Sequence, residues 1–275
     1  GLLQWTVVPF GAINASATGQ LLLDKLFREM REFVSSFLDD ICVHTDGDFE
    51  QHLRDLRAVL DKLRFAGLTA NAAKCHFAAD RLSLLGHVIE GNRLRPGEDK
   101  LAAVQGLTGS NMKTKTQVRA ALGLFNFFRA FIPKMAEVAL PLTALLKKSE
   151  PDKVKWDEKC ETALEKLKTA LLSEPCLIAP DFNRQFHLFT DSSKAACGSA
   201  LCQRDDKGLM HPIAFSSHKL TPSQIKWSIV EKDLFALYRA ACITFRHYLL
   251  GATETTQVYS DHRPLAYLSS ITDLS

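Results

Sequence analysis

The feature that most constrains this chain is a pair of aspartates, Asp39-Asp40, set between short apolar runs. Phe33-Val34 and Phe37-Leu38 precede the pair, and Ile41-Cys42-Val43 follows it. Apolar arms of that length pair as a hairpin, and residues 32–45 are read as one, with Asp39-Asp40 at its turn. Asp is a favoured turn residue in any hairpin. Paired carboxylates at a sheet edge also suit a hard divalent cation such as Mg2+. A second acidic set lies further on: Asp191 closes Phe186-His187-Leu188-Phe189-Thr190-Asp191, Glu231 sits in Val230-Glu231-Lys232-Asp233, and Asp261 closes Thr256-Gln257-Val258-Tyr259-Ser260-Asp261. Strand, helix and strand bring these three carboxylates to one sheet edge, where they suit two Mg2+ (or Mn2+) ions and phosphodiester hydrolysis. Each also has a plain reading: a turn for Asp191, a favourable charge at a helix start for Glu231, a solvated surface for Asp261.

The length, 275 residues, allows about two domains. A hydrophobic fraction of 46% with 24% charged residues excludes a disordered chain. A net charge of only +3 means that any nucleic-acid surface must be local. The seven cysteines are odd in number and form no C-x-x-C pair, so they read as reduced thiols of an intracellular protein. No apolar run is long enough to span a bilayer. Gly1 and Ser275 read as cuts through a longer polypeptide.

The spacing predicts a helix over about 16–30 and another over 48–66, with Phe49, Leu53, Leu56, Leu60 and Leu63 as its apolar stripe and Gly67 as its cap. A strand covers 84–89, and 98–148 is mainly helical, broken at Gly109-Ser110 and Pro133. Residues 149–184 read as a connector carrying a helix over 156–172. From Phe186 the order is strand, strand, strand, helix and strand, the helix running over about 223–250 with the stripe Val230, Leu234, Leu237 and Ala241. In the helical middle, Lys113, Lys115, Arg119, Arg129 and Lys134 interleave with Phe125, Phe127, Phe128 and Phe131. The phenylalanines read as core. Lys113, Lys115 and Arg119 read either as contacts to a nucleic-acid backbone or as a solvated face.

Longer motifs add a resemblance. The run from Val8-Pro9-Phe10-Gly11 through Asn14-Ala15, Ala17-Thr18 and Gln20 precedes the hairpin. Asn71-Ala72-Ala73-Lys74-Cys75, Leu84-Leu85-Gly86-His87-Val88-Ile89, Arg95-Pro96, Leu122–Pro133 and Pro141–Leu146 follow it. Together they resemble the reverse transcriptases of gypsy-type LTR retrotransposons. The resemblance implies that Asp39 and Asp40 are catalytic metal ligands, and that Phe10, Gly11, Gln20 and Lys74 shape the nucleotide and template pocket. It also implies that Leu85, Gly86 and His87 grip the primer. Three positions depart from the family pattern: Phe37 stands where Tyr is usual, Gly19 where an aromatic is usual, and Ser16 where Pro is usual.

Thr190-Asp191-Ser192-Ser193, Ser217–Thr221, Glu231-Lys232-Asp233-Leu234, Phe245–Leu249 and Ser260–Leu265 resemble the RNase H domain of the same elements. This implies that Asp191, Glu231 and Asp261 are catalytic metal ligands. One more polymerase aspartate is expected upstream of Gly1, and a fourth nuclease carboxylate beyond Ser275. The implied fold is α+β and α/β: a partial palm over 1–92, a helical thumb over 93–150, a connection over 151–184 and an RNase H-like mixed sheet over 185–275. The implied activity is RNA- and DNA-templated DNA synthesis with cleavage of RNA in RNA–DNA hybrids. Mg2+ or Mn2+ is the implied cofactor. The implied partners are a primer–template duplex or RNA–DNA hybrid, dNTPs and the rest of a Pol polyprotein, protease and integrase included, with no membrane. The implied location is intracellular: the cytoplasm or a virus-like particle, and later the nucleus. The alternative is a non-catalytic, nucleic-acid-binding remnant of a degenerate or host-captured retroelement.

Overall fold

The structure is a computed structural model that describes residues 7–9, 11–173 and 175–261. The chain forms two compact units, Gly1–Ala79 and Asp80–Ser275.

In the first unit, α1 (Ala15–Leu26) leads through a single 3-10 turn, Arg28–Met30, to β1 (Val34–Phe37) and β2 (Asp40–Val43). The strands pair antiparallel from Val34↔Val43 to Phe37↔Asp40. The turn is therefore Leu38-Asp39, and Asp40 opens β2 instead of sharing the tip. Leu38 takes φ 52, the left-handed conformation that tight two-residue hairpin turns require. Next comes α2 (Phe49–Phe65), capped by Asp48, whose side chain accepts from the Gln51 N–H. Gly67, at φ +68, ends it as expected.

The expected stripe of α2 is largely exposed: Phe49 by 60%, Leu53 by 42% and Leu60 by 40%. The row that faces inward is Asp55, Val59 and Leu63, and Val59 and Leu63 share a core with Leu23, Phe27 and Val34. A carboxylate can join this row because both its oxygens are satisfied. Thr45 Oγ1 donates to Asp55 Oδ2 at 2.8 Å, and Gln51 Nε2 donates to Oδ1 at 2.7 Å.

In the second unit, β3 (Arg81–Leu84), β4 (His87–Glu90), β5 (Arg93–Pro96) and β6 (Leu177–Ile178) form an antiparallel sheet in that order. The single strand expected over 84–89 is thus the end of β3, a turn at Leu85-Gly86 and the start of β4. Both turn residues have positive φ, 50 and 77. Pairing of β3 and β4 with β5 places all three strands in the second unit.

Helices α3 (Glu98–Gln105), α4 (Lys115–Phe127), α5 (Met135–Val138), α6 (Leu140–Ala144) and α7 (Glu158–Leu172) follow β5 and precede β6. They share one core that includes Val104, Phe125, Phe128, Phe131, Leu142 and Leu167. Within α7, Cys160, Ala163, Leu164, Leu167 and Leu171 are buried at helical spacing. The expected connector is therefore part of the helical core, and so is Leu177 of β6.

The last sheet has the order β10 (Gln257–Ser260), β7 (His187–Ser192), β8 (Ala196–Arg204), β9 (Met210–Lys219). β10 runs parallel to β7, and the other pairs are antiparallel. The crossover passes through α8 (Ile229–Tyr238), a π-helical stretch Arg239–Thr244 and α9 (Arg246–Leu249). The single helix expected over 223–250 is thus interrupted. Ser228 caps α8, and the ladder widens at Arg239 before Phe245 ends it. Phe186, Leu188, Leu201, Ile213 and Phe245 form the core of this region.

Candidate active sites and nucleic-acid surface

In the first unit the hairpin turn is held from behind. Gln20 on α1 accepts the Leu38 N–H at 2.6 Å, and its amide nitrogen donates to the Ser36 carbonyl at 3.2 Å and to Asp24 at 2.8 Å. Gln20, expected in the nucleotide pocket, here clamps the backbone that carries the aspartates. Asp39 and Asp40 are exposed. Among the described residues neither makes an ion pair, so both carboxylates are open acceptors. Gly11 is exposed with φ +85. Lys74 ends a single 3-10 turn capped by Asn71 and is exposed. Phe10 lies outside the described residues.

In the second unit the Leu85-Gly86-His87 turn is fixed by aromatic packing. His87 stacks on Phe127 at 5.3 Å and on Phe131 at 5.7 Å, and meets Phe128 edge-on at 5.5 Å. Its Nδ1–H donates to the Leu85 carbonyl at 3.1 Å. Burial lowers the pKa of the ring, which favours the neutral form. A Cβ on Gly86 would meet the Phe127 ring at 3.2 Å. Phe125, Phe128 and Phe131 are core, as expected, whereas Phe127 is 49% exposed.

The three expected backbone-contacting cations separate. Lys113 and Arg119 are exposed. Lys115 donates its ammonium to the carbonyls of Lys147 at 2.7 Å and Glu150 at 2.6 Å. It ties down a turn of its own chain.

The expected strand–helix–strand carboxylates are also rearranged. Asp191 lies on β7 opposite Gly198, and its Oδ2 accepts from the Lys134 ammonium. Glu231 does not turn to the sheet. Its carboxylate accepts the Ser228 N–H at 2.7 Å while its own N–H donates to Ser228 Oγ at 3.3 Å. These bonds lower its pKa. Ser228-x-x-Glu231 is a capping box, a signal already legible in the sequence.

The row of α8 facing the sheet is Asp233, Ala236 and, one turn on, Ala240. Glu231 is two residues, or about 200° of helix, away from Asp233. Asp233 is buried, and Ser192 Oγ, next to Asp191 on β7, donates to its Oδ1. The helix carboxylate at this sheet is therefore Asp233. Asp261 follows β10 and is exposed. Lys134 is held above the ordinary lysine range, first by its hydrogen bond to Asp191 and that residue's charge, then by Glu137 and Asp261.

Among the described residues no three His, Cys, Asp or Glu side chains are grouped to hold a metal ion. The donors around Asp191 thus do not form a ready cation cradle, and an ammonium stands against the first of them. The open oxygens of Asp39 and Asp40 do suit a hard cation.

Residues 1–89 match the family model for reverse transcriptase (RNA-dependent DNA polymerase). Residues 156–258 match that for an RNase H-like domain found in reverse transcriptase. The retrovirus-related Pol polyprotein from transposon 297 of Drosophila melanogaster is 34% identical over 98% of this chain. The Transposon Tf2-3 polyprotein of Schizosaccharomyces pombe is 32% identical over 96%. The chain spans 25% of the first relative's length and 20% of the second's. The foamy viral protease–reverse transcriptase dRH in complex with ds DNA superimposes with a TM-score of 0.82 at 26% identity, covering 98% of this chain and 46% of that one.

Proposed function

This chain belongs with the reverse transcriptases of retrotransposon Pol polyproteins, its reverse transcriptase domain preceding an RNase H-like domain, and from that premise we propose two phosphoryl-transfer centres. The first synthesises DNA on RNA or DNA templates at Asp39 and Asp40. The second cleaves RNA in RNA–DNA hybrids at Asp191, Asp233 and Asp261. The observation that carries the reading is the Gln20-clamped hairpin, which presents two exposed carboxylates on a backbone fixed without their help. Divalent ions, Mg2+ or Mn2+, would neutralise charge on the attacking and leaving oxygens at such a site.

The exposed Lys113 and Arg119 support contact with the phosphates of a primer–template duplex or hybrid. Phe10, Gly11 and Lys74 are proposed to shape the dNTP and template pocket, and the Leu85-Gly86-His87 turn to hold the primer. The rest of the Pol polyprotein, protease and integrase included, is the proposed covalent context. Among the described residues no helix is long and apolar enough to cross a membrane, and all seven cysteines are free thiols, in keeping with a reducing intracellular compartment.

The test uses the polyprotein's reverse transcriptase–RNase H portion. Asp39→Asn should abolish primer extension and spare hybrid cleavage. Asp233→Asn should do the reverse, and Glu231→Gln should spare both. Full extension by Asp39→Asn would remove the hairpin from the catalytic role.

A further inference from the structure

Lys134 comes to Asp191 from 57 positions earlier in the sequence, and several features make its placement a property of the fold. It follows Pro133 and adopts φ 50, ψ 29, the left-handed conformation, as the N-cap residue of α5. Flanking groups fix that segment on β9. Arg129 donates to the Ser217 carbonyl at 3.1 Å, and the Ala136 N–H donates to Ser217 Oγ at 2.8 Å. The Lys134 stem lies over Gly198, the register partner of Asp191, where an added Cβ would sit 3.4 Å from Lys134 Cγ. Both partners are about half exposed, so the ion pair lies at the surface, beside Ser193 and Cys197.

We propose that Lys134 is a tethered counter-ion that competes with divalent cations for Asp191, so that this carboxylate takes a metal only when the Lys134 ammonium swings away. The proposal rests on the reading of Asp191 as a metal ligand. An ammonium hydrogen-bonded to a carboxylate oxygen denies that oxygen to a metal, and its charge repels the ion. The fold thereby carries its own monovalent substitute for a divalent ion. The coupling is reciprocal: a divalent ion bound at Asp191 should displace the Lys134 ammonium.

The test is Mn2+ binding to the 275-residue chain, followed by calorimetry and by water-proton relaxation. Lys134→Met keeps the stem over Gly198 and removes the charge. It should tighten binding by about two- to fivefold, the effect of a half-exposed ion pair screened by solvent. Adding Asp191→Asn should erase the gain. Circular dichroism and the melting temperature check that each variant folds, and Lys134→Arg, which keeps a charge, should stay near the wild type if charge is the cause.

If wild type and Lys134→Met bind Mn2+ equally and Asp191→Asn weakens both, competition by Lys134 is wrong while the site stands. If Asp191→Asn changes binding in neither background, Asp191 is no ligand and both readings fall.

Discussion

At the hairpin, the hydrogen bonds go to the backbone behind the carboxylates. Gln20 holds Leu38 and Ser36, and Asp39 and Asp40 face outward. At β7 the bonds go to the carboxylates themselves: Lys134 to Asp191 and Ser192 to Asp233. At the hairpin the turn is held and, among the described residues, neither carboxylate is ion-paired. At the second site, an ammonium stands against Asp191 alone, and a cation must displace it to take the oxygen it holds. The difference shows that an acidic cluster is not a cation site until the groups already satisfying it are counted.

Four measurements bear on this contrast. The largest effect is expected at Asp233. Removing it with Asp233→Ala strands the Ser192 hydroxyl and should lower stability by about 1–3 kcal/mol. Asp39→Ala, at an exposed turn, should stay within about 0.5 kcal/mol. Equal costs in denaturant titrations would erase the distinction.

Next, Gln20→Ala should cost about 1 kcal/mol in the first unit by leaving the Leu38 N–H without its partner. Amide exchange at Leu38 should speed up while exchange on β7 is unchanged. An unchanged Leu38 rate would show that the clamp is not what fixes the turn.

The third concerns acid. His87, His187 and His218 all lie in the second unit, and burial is the first cause lowering each below the ordinary histidine value of 6.5. As pH falls through about 6.5 the unfolded chain takes up protons that the folded unit does not, so stability is full above that pH and declines below it. Melting of the second unit should therefore drop between pH 7 and the lowered folded values. His87→Phe, which keeps the ring stack, should flatten that slope, and a slope indifferent to the substitution would exclude His87 as a contributor.

The smallest effect is expected for Glu231→Gln. A glutamine can keep the bond to the Ser228 N–H, so Mn2+ affinity and α8 helicity should be unchanged. A loss of Mn2+ binding would return Glu231 to the ligand set.

The hairpin, the helices of the middle region and the final sheet were legible because each repeats a local period: alternation in strands, three-to-four spacing in helices. What escaped was the choice of face. In α2 the leucine row looked like core, but Thr45 and Gln51 allow Asp55 into the buried row. In α8 the rows through Leu234 and Asp233 differ by one residue, and apolar content favoured the wrong one. The capping serine, Ser228, was the available clue, since it ties Glu231 to the helix end. The interruption at Arg239–Thr244 has no local signature, because Ala240, Ala241 and Cys242 suit a regular helix as well. Lys134 was visible as a cation but not as the partner of Asp191, because the backbone turn after Pro133 that aims it has no sequence period.

The parallel pairing of β10 with β7 also governs how the acidic group comes together during synthesis. Strands β7, β8 and β9 are successive antiparallel neighbours and can pair as they leave the ribosome, whereas β10 must wait for α8 and the crossover. Along the chain the order is Lys134, Asp191, Asp233, Asp261. The ammonium therefore emerges before any of the carboxylates of that sheet. Asp191 thus joins a nascent fold that already contains its counter-charge, so the first carboxylate of the sheet is paired before the other two arrive.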